Sequence, residues 1–212
     1  MADLLSEDDK KEIAAAIARA ESGTSGEIVF AVTDASARYR HATYQGALAG
    51  AVLGTAVYLA LPYPHYVSLL LWTQLISFGV SYALFSRLSW RRWFCSSSEM
   101  EARVRQAAFA EFYSSGLYRT REANGVLIFL SCFERRVVVL GDRGIHEKMG
   151  DRWDEVRDTI IDGIRRGSAR QGICAAVALC GRKLAEHFPR AADDTNELPD
   201  EVIDRKLGPD SA

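Results

Sequence analysis

Residues 41–86 read HATYQGALAGAVLGTAVYLALPYPHYVSLLLWTQLISFGVSYALFS, 46 consecutive positions without one Asp, Glu, Lys or Arg, lying between Arg40 and Arg87. The chain as a whole has 212 residues, of which 25% are charged and 48% hydrophobic, with a formal net charge of −2. At that charge density a given window of this length lacks charge about once in a million. All 54 formal charges fall in the other 166 residues. The averages suit a globular protein and exclude collagen-like, disordered and disulfide-scaffold classes. The near-neutral balance gives no ground for expecting nucleic-acid binding. The distribution describes a charged domain with an uncharged block set inside it.

The block divides into two apolar runs, 47–61 (extended by 43–46) and 67–85, around Pro62-Tyr63-Pro64-His65-Tyr66. Each run is about 18–20 residues, enough to cross a hydrocarbon core of ~30 Å as a helix. The prolines end the first helix and mark the turn. Tyr58, Tyr63 and Tyr66 suit one water–lipid interface and Trp90 and Trp93 the other. Gly46, Gly50 and Gly54 recur at four-residue spacing and offer a close-packing face. The alternative is a buried hairpin of a soluble domain, but neither run keeps the polar face such a helix shows. Residues 43–86 are therefore expected to form a transmembrane helical hairpin. Arg38 and Arg40 flank its entry and Arg87, Arg91 and Arg92 its exit, while the connecting loop has no Lys or Arg. The positive-inside rule then predicts a two-pass protein with both termini cytoplasmic. Cys95, Cys132, Cys174 and Cys180 lack metal-binding spacing and fit a reducing compartment. Two helices without an intramembrane charge offer no ion path, which argues against a transporter.

Outside the block, Ser6 can cap a helix reaching about residue 22, with Ile13, Ile17 and Ala20 as its apolar stripe. Residues 27–33 read as a buried strand. Ser98 and Glu101 have capping-box spacing at the start of a helix that Gly116 closes. Residues 125–131 and 137–140 read as a strand hairpin turning near Glu134-Arg135, followed by helices at about 153–166 and 170–188. From Pro189 the chain is acidic and is expected to be disordered. This order predicts an α/β fold, a three-layer sandwich around a small mixed β-sheet, with the two-helix hairpin inserted in the crossover between the first two strands. The domain is thus discontinuous, 5–40 with 89–188, and 189–212 is a tail.

The insertion sets an expected orientation. The first strand ends toward the membrane, because residues 34–40 lead into it, and the parallel second strand ends there too. The opposite end of the sheet collects Thr24, Ser25 and Glu27 before the first strand, and Arg119, Arg121 and Asn124 before the second. Asp142, Arg143 and His146 join them after the third.

Residues 24–29 (Thr-Ser-Gly-Glu-Ile-Val), 119–121 (Arg-Thr-Arg), 124–129 (Asn-Gly-Val-Leu-Ile-Phe), 134–137 (Glu-Arg-Arg-Val) and 141–146 (Gly-Asp-Arg-Gly-Ile-His) resemble, in order and spacing, the TPM domain. They resemble more closely a bacterial branch in which a two-helix membrane hairpin splits that domain. The resemblance covers roughly residues 5–188 and excludes the acidic tail. It implies an α/β sandwich at the bacterial inner membrane. Some relatives in thylakoid lumens are linked to photosystem repair and credited with acid phosphatase activity, some bind calcium, and an animal relative assists a receptor channel. The fold alone does not choose among these.

A phosphatase must hold phosphate oxygens and supply a nucleophile or an activated water. Arg119, Arg121 and Arg143 could hold a dianion, Glu27 and Asp142 a divalent metal such as calcium, and His146 could donate a proton. Ser25 is a candidate nucleophile with no obvious base beside it. Against this, residues 141–146 also read as a tight loop in which the glycines permit positive φ and Asp142 bonds its own backbone. There is no phosphate loop, zinc spacing, nucleophile elbow or kinase signature. No cofactor is required by the sequence. Residues 87–188 hold 18 Lys/Arg and 13 Asp/Glu, and the tail from Pro189 holds 3 and 7. Arg91, Arg92, Arg135 and Arg136 would face anionic lipid on this topology, although a solvated surface is the simpler reading. The sequence favours an accessory or interaction module whose partners are the lipid bilayer and other membrane proteins. The alternatives are a metal-assisted, acid-phosphatase-like hydrolase and a calcium-binding regulatory domain.

Overall fold

A computed structural model describes residues 4–62, 64, 66–149, 153–190 and 197–206. Their elements are, in order, α1 (Glu7–Glu21), β1 (Ile28–Thr33), α2 (Arg40–Ala60), α3 (Val67–Phe85), α4 (Leu88–Arg91), α5 (Ser97–Ser114), β2 (Val126–Ser131), β3 (Arg136–Gly141), α6 (Arg143–Met149), α7 (Asp154–Arg165), α8 (Ala169–His187) and β4 (Ile203–Arg205). The described residues fall into two units, one within 1–36 and 101–211, the other within 37–100.

The first unit is an α/β fold around a four-stranded mixed sheet of order β3-β2-β1-β4. β1 and β2 pair in parallel from Ile28↔Val126 to Thr33↔Ser131, and β3 runs antiparallel to β2. Every residue of β1 and β2 is buried, which is why both read as unbroken apolar runs rather than alternating ones. Ile28, Phe30, Val32, Ile128 and Leu130 pack with Ile13 and Ile17 of α1, Ile160 of α7 and Ile173 and Val177 of α8. Val29, Ala31, Leu127 and Phe129 face the other way, onto Val104, Ala108 and Phe112 of α5. Burying each of the large side chains contributes about 1.5–3 kcal/mol. α1 is capped by Ser6 as expected, and the cap is a reciprocal capping box: Ser6 Oγ accepts the Asp9 N–H at 3.2 Å, and Asp9 Oδ2 accepts the Ser6 N–H at 2.9 Å.

Three local expectations are corrected. The cap of α5 is Ser96, whose Oγ accepts the Glu99 N–H at 3.1 Å, two residues before the expected Ser98. The segment after β3 is not a glycine-enabled loop but a short helix, α6, which Asp142 opens by accepting the Arg143 N–H at 2.7 Å. Gly144 is not at positive φ. Its smallness serves a close approach instead, since a Cβ there would lie 2.7 Å from the Glu122 carbonyl oxygen and 2.8 Å from that of Ala123. The acidic tail, expected to be disordered, contributes β4, which pairs in parallel with β1 from Ala31↔Ile203 to Thr33↔Arg205. Val202 and Ile203 each pack on one face of the sheet, and Arg205 reaches the buried Glu111. Residues 191–196 and 207–212 of that tail lie outside the described residues.

In the second unit α2 and α3 pack along one another as a hairpin. Gly46 lies against Phe85, Gly50 against Ser81 and Gly54 against Ser77, as the four-residue glycine spacing predicts. Of the two runs expected to span a membrane, α3 alone is long and apolar enough to do so by length and composition. α2 has 21 residues, but its first turns carry Arg40, His41, Thr43, Tyr44 and Gln45. What remains, residues 46–60, rises about 22 Å, short of a ~30 Å core.

Candidate functional site

The parallel pairing of β1 with β2 and the return of β3 put the start of β1, the start of β2 and the end of β3 at one end of the sheet. There Thr24 Oγ1 donates to the Phe188 carbonyl at 2.6 Å and accepts the Gly26 N–H at 3.1 Å. Asn124 is buried, donates through Nδ2 to the Ser25 carbonyl, and takes its backbone N–H to Thr120 Oγ1 at 3.2 Å. The Asp142 N–H donates to the Gly125 carbonyl at 2.9 Å. Ala123 holds φ at 50°, a turn conformation that side chains rarely adopt, and its carbonyl accepts the Gly144 N–H at 3.0 Å. The sequence-selected Thr24, Ser25, Glu27, Asn124 and Asp142 therefore share this end.

Two of the cationic members, Arg119 and Arg143, are engaged by their own neighbours instead. Arg143 is exposed and pairs with Glu147 at 3.5 Å within α6. His146 is exposed on the same helix. Arg119 turns onto its neighbour, with Nε donating to the Tyr118 hydroxyl at 2.8 Å and the guanidinium 5.2 Å from the ring centre. Arg121 contributes its backbone N–H, 3.0 Å from Glu197 Oε2. Ser25 Oγ makes no hydrogen bond to a described residue.

The tail supplies what the sequence reading missed. The Glu197 N–H donates to Glu27 Oε1 at 3.0 Å, so the segment leading to β4 crosses this end. Glu21, Glu27, Asp200 and Arg190, with Thr24, line a small pocket of about 80 Å³ beside it. Glu21 Oε1 accepts the Ile28 N–H at 2.7 Å. Burial pushes the Glu21 carboxyl up to about 9, and Glu27 and Asp200 beside it push the same way. Glu21, in the last turn of α1, carries no sequence signal that separates it from a solvated charge. The apolar Leu198, Val202 and Ile203 inside an acidic tail are the signal that this segment docks.

The donor set does not suit a metal. Glu27 and Asp142 stand at the ends of β1 and β3 with β2 between, about 10 Å apart at two strand spacings. Glu27 Oε1 takes a backbone amide, Glu21 keeps its proton at neutral pH, and Arg190 shares their pocket. Among the described residues no group of three His, Cys, Asp or Glu side chains could hold a metal ion.

Residues 96–183 match the TPM domain, so a TPM domain is present in part of the chain. No curated protein matches it. The NMR structure of the BA42 protein from the psychrophilic bacterium Bizionia argentinensis is similar, with a TM-score of 0.60 and 21% identity over 97% of this chain and 98% of that one. At that identity the likeness speaks for the fold alone.

Proposed function

We propose that this chain is a TPM-domain protein held at the bacterial inner membrane by the α2–α3 hairpin, acting there as an accessory module that binds other membrane proteins. The observation that carries the reading is α3, 19 residues with none buried. Leu69, Leu71, Trp72, Leu75, Ile76 and Val80 are each more than half exposed, and so are Leu48, Val52, Leu53, Val57 and Leu59 on α2. An apolar surface this continuous is far larger than the few hundred Å² a water-soluble monomer exposes. Two threonine hydroxyls within the hairpin are answered by its own backbone, Thr55 Oγ1 donating to the Ala51 carbonyl and Thr73 Oγ1 to that of Leu69, as lipid favours. α2 is short for a full span, and local thinning of the bilayer or snorkelling of flanking residues accommodates such a mismatch at modest cost. The arginines follow the same logic. Arg91 Nη1 donates to the Arg38 carbonyl at 2.7 Å, which gathers the cationic flanks at one end of the hairpin and argues for two passes with both termini cytoplasmic.

A binding role for the domain is favoured over hydrolysis because Thr24 and Asn124 at the sheet end are engaged in holding backbone together, although one carboxylate oxygen each of Glu21, Glu27 and Asp142 is buried without a hydrogen-bond partner among the described residues. A hydrolase needs a nucleophile or an activated water and cations on the phosphate, and here Arg119 is turned onto Tyr118 and Arg143 onto Glu147. The test is photo-crosslinking in native membranes from a probe at Arg121 or His146. A discrete adduct with a membrane protein is expected. Its absence, together with p-nitrophenyl phosphate hydrolysis that Asp142→Ala abolishes, would overturn the reading in favour of an enzyme.

A further inference from the structure

The sheet closes one of its edges and leaves the other open. β1 is covered by β4, whereas β3 has β2 as its single neighbour among the described residues. The Asp142–Gly125 hydrogen bond fixes which backbone groups of β3 look outward. Hydrogen-bonded pairs alternate along an antiparallel ladder, so Leu140, Val138 and Arg136 bond inward to Leu127, Phe129 and Ser131. The N–H and C=O groups of Val137 and Val139 face away from the sheet. The six-residue register is unbroken, and the strand contains no proline or bulge of the kind that protects exposed edges.

This edge is the floor of a groove of about 610 Å³, walled by Arg105 and Phe109 of α5 on one side and Trp153, Arg157 and Ile161 at α7 on the other. Its charge is uneven. Arg105, Arg135, Arg136 and Arg157 line it against Glu101 and Asp154. Arg136 pairs with Glu101 at 3.4 Å and Arg157 with Asp154 at 2.8 Å, whereas the exposed Arg105 and Arg135 have no ion-pair partner among the described residues. Phe109, 49% exposed, offers an apolar seat beside them.

We propose that the β3 edge is a docking groove for an extended acidic peptide of a partner protein, which adds to the sheet as a fifth strand. The free backbone groups supply the pairing, Arg105 and Arg135 select acidic side chains, and Phe109 takes an alternate apolar one. Six residues of β3 accommodate about 20 Å of peptide. The inference rests on the chain being a binding module and adds the kind of partner and the surface that takes it.

The experiment uses the full chain in detergent and measures fluorescence anisotropy of a labelled acetyl-(Glu-Val)4-amide. Two further peptides are N-methylated, one at every Val amide and one at every Glu amide, and a fourth replaces Glu with Lys. Saturable binding of the acidic peptide is expected, weakened at least about tenfold by R105E/R135E and by one of the two methylation patterns. Both arginines are exposed, so the melting temperature of the double variant should match wild type. Slower exchange of the Val137 and Val139 amides with peptide bound should accompany binding. Equal binding of both methylated peptides would reduce the effect to charge alone and overturn strand addition. Equal binding of the Lys peptide, or no saturable binding at millimolar peptide, would overturn the groove. Either failure with membrane retention intact leaves the anchored-module reading standing.

Discussion

Arg205 grips Glu111 with two teeth, Nε to Oε2 at 3.0 Å and Nη2 to Oε1 at 3.1 Å. Glu111 is buried on α5, and Arg205 is the last residue of β4, so the pair ties the tail to the helix covering that face of the sheet. Thr33 Oγ1 donates to the Arg205 carbonyl at 2.9 Å, and Lys10 Nζ reaches Asp204 at 2.6 Å. Arg205→Ala leaves the Glu111 carboxylate buried without its cation. A loss of about 1–2 kcal/mol is expected in urea denaturation. An unchanged midpoint would mean that β4 does not contribute to the stability of the domain.

Glu21 makes stability fall as pH rises. Its folded pKa, about 9, lies above the ordinary carboxyl value of 4.5, so between those limits the folded state keeps a proton that the unfolded state releases. The stabilising contribution is complete below about pH 4.5 and is lost progressively toward pH 9, with a slope of at most about 1.4 kcal/mol per unit. Glu21→Gln keeps an acceptor for the Ile28 N–H and removes the titration. Melting temperature between pH 5 and 9 should therefore vary less in the variant. Superimposable pH profiles for the two proteins would contradict the assignment.

Much of this architecture could be read from residues, and the exceptions have physical causes. The buried strands β1 and β2 announce themselves as apolar runs, and Ser6 marks the start of α1. The gathering of Thr24, Glu27, Asn124 and Asp142 follows from the parallel pairing of β1 with β2 and the antiparallel return of β3. The membrane reading rests on absence of charge, which cannot tell a full apolar span from one whose first turns are polar, as in α2. β4 escaped because three residues in an acidic segment carry too little local signal. Its place is decided by Glu111 and Ala31, 94 and 172 residues away from their partners. The aim of Arg119 and Arg143 is not legible in sequence, since it depends on neighbours such as Tyr118 and Glu147.

Gly144 is needed for space. Alanine there gains about 1 kcal/mol of helix propensity in α6 but sets its Cβ against two backbone carbonyls. Overpacking against backbone costs about 1–3 kcal/mol, so Gly144→Ala should lower the melting temperature. A higher melting temperature would show that the Glu122–Ala123 turn yields freely.

The cysteines should label in order of burial. All four are free. Burial pushes the Cys132 thiol up to about 11, with Asp34, Asp204 and Glu134 adding to it, and also raises Cys174 and the fully buried Cys180. At pH 7.5 iodoacetamide should modify Cys95 first and leave Cys180 untouched until the protein is unfolded in urea. Rapid native labelling of Cys180, read by peptide mass, would contradict the packing of α8.

The central claim is that the exposed apolar hairpin resides in a bilayer, and alkaline carbonate extraction of membranes carrying the full chain tests it most directly. The chain should remain in the pellet, and L71K/L75K in α3 should release it, because each charge at mid-bilayer costs about 2.5–3.5 kcal/mol. Recovery of the unaltered chain in the carbonate supernatant would contradict the claim.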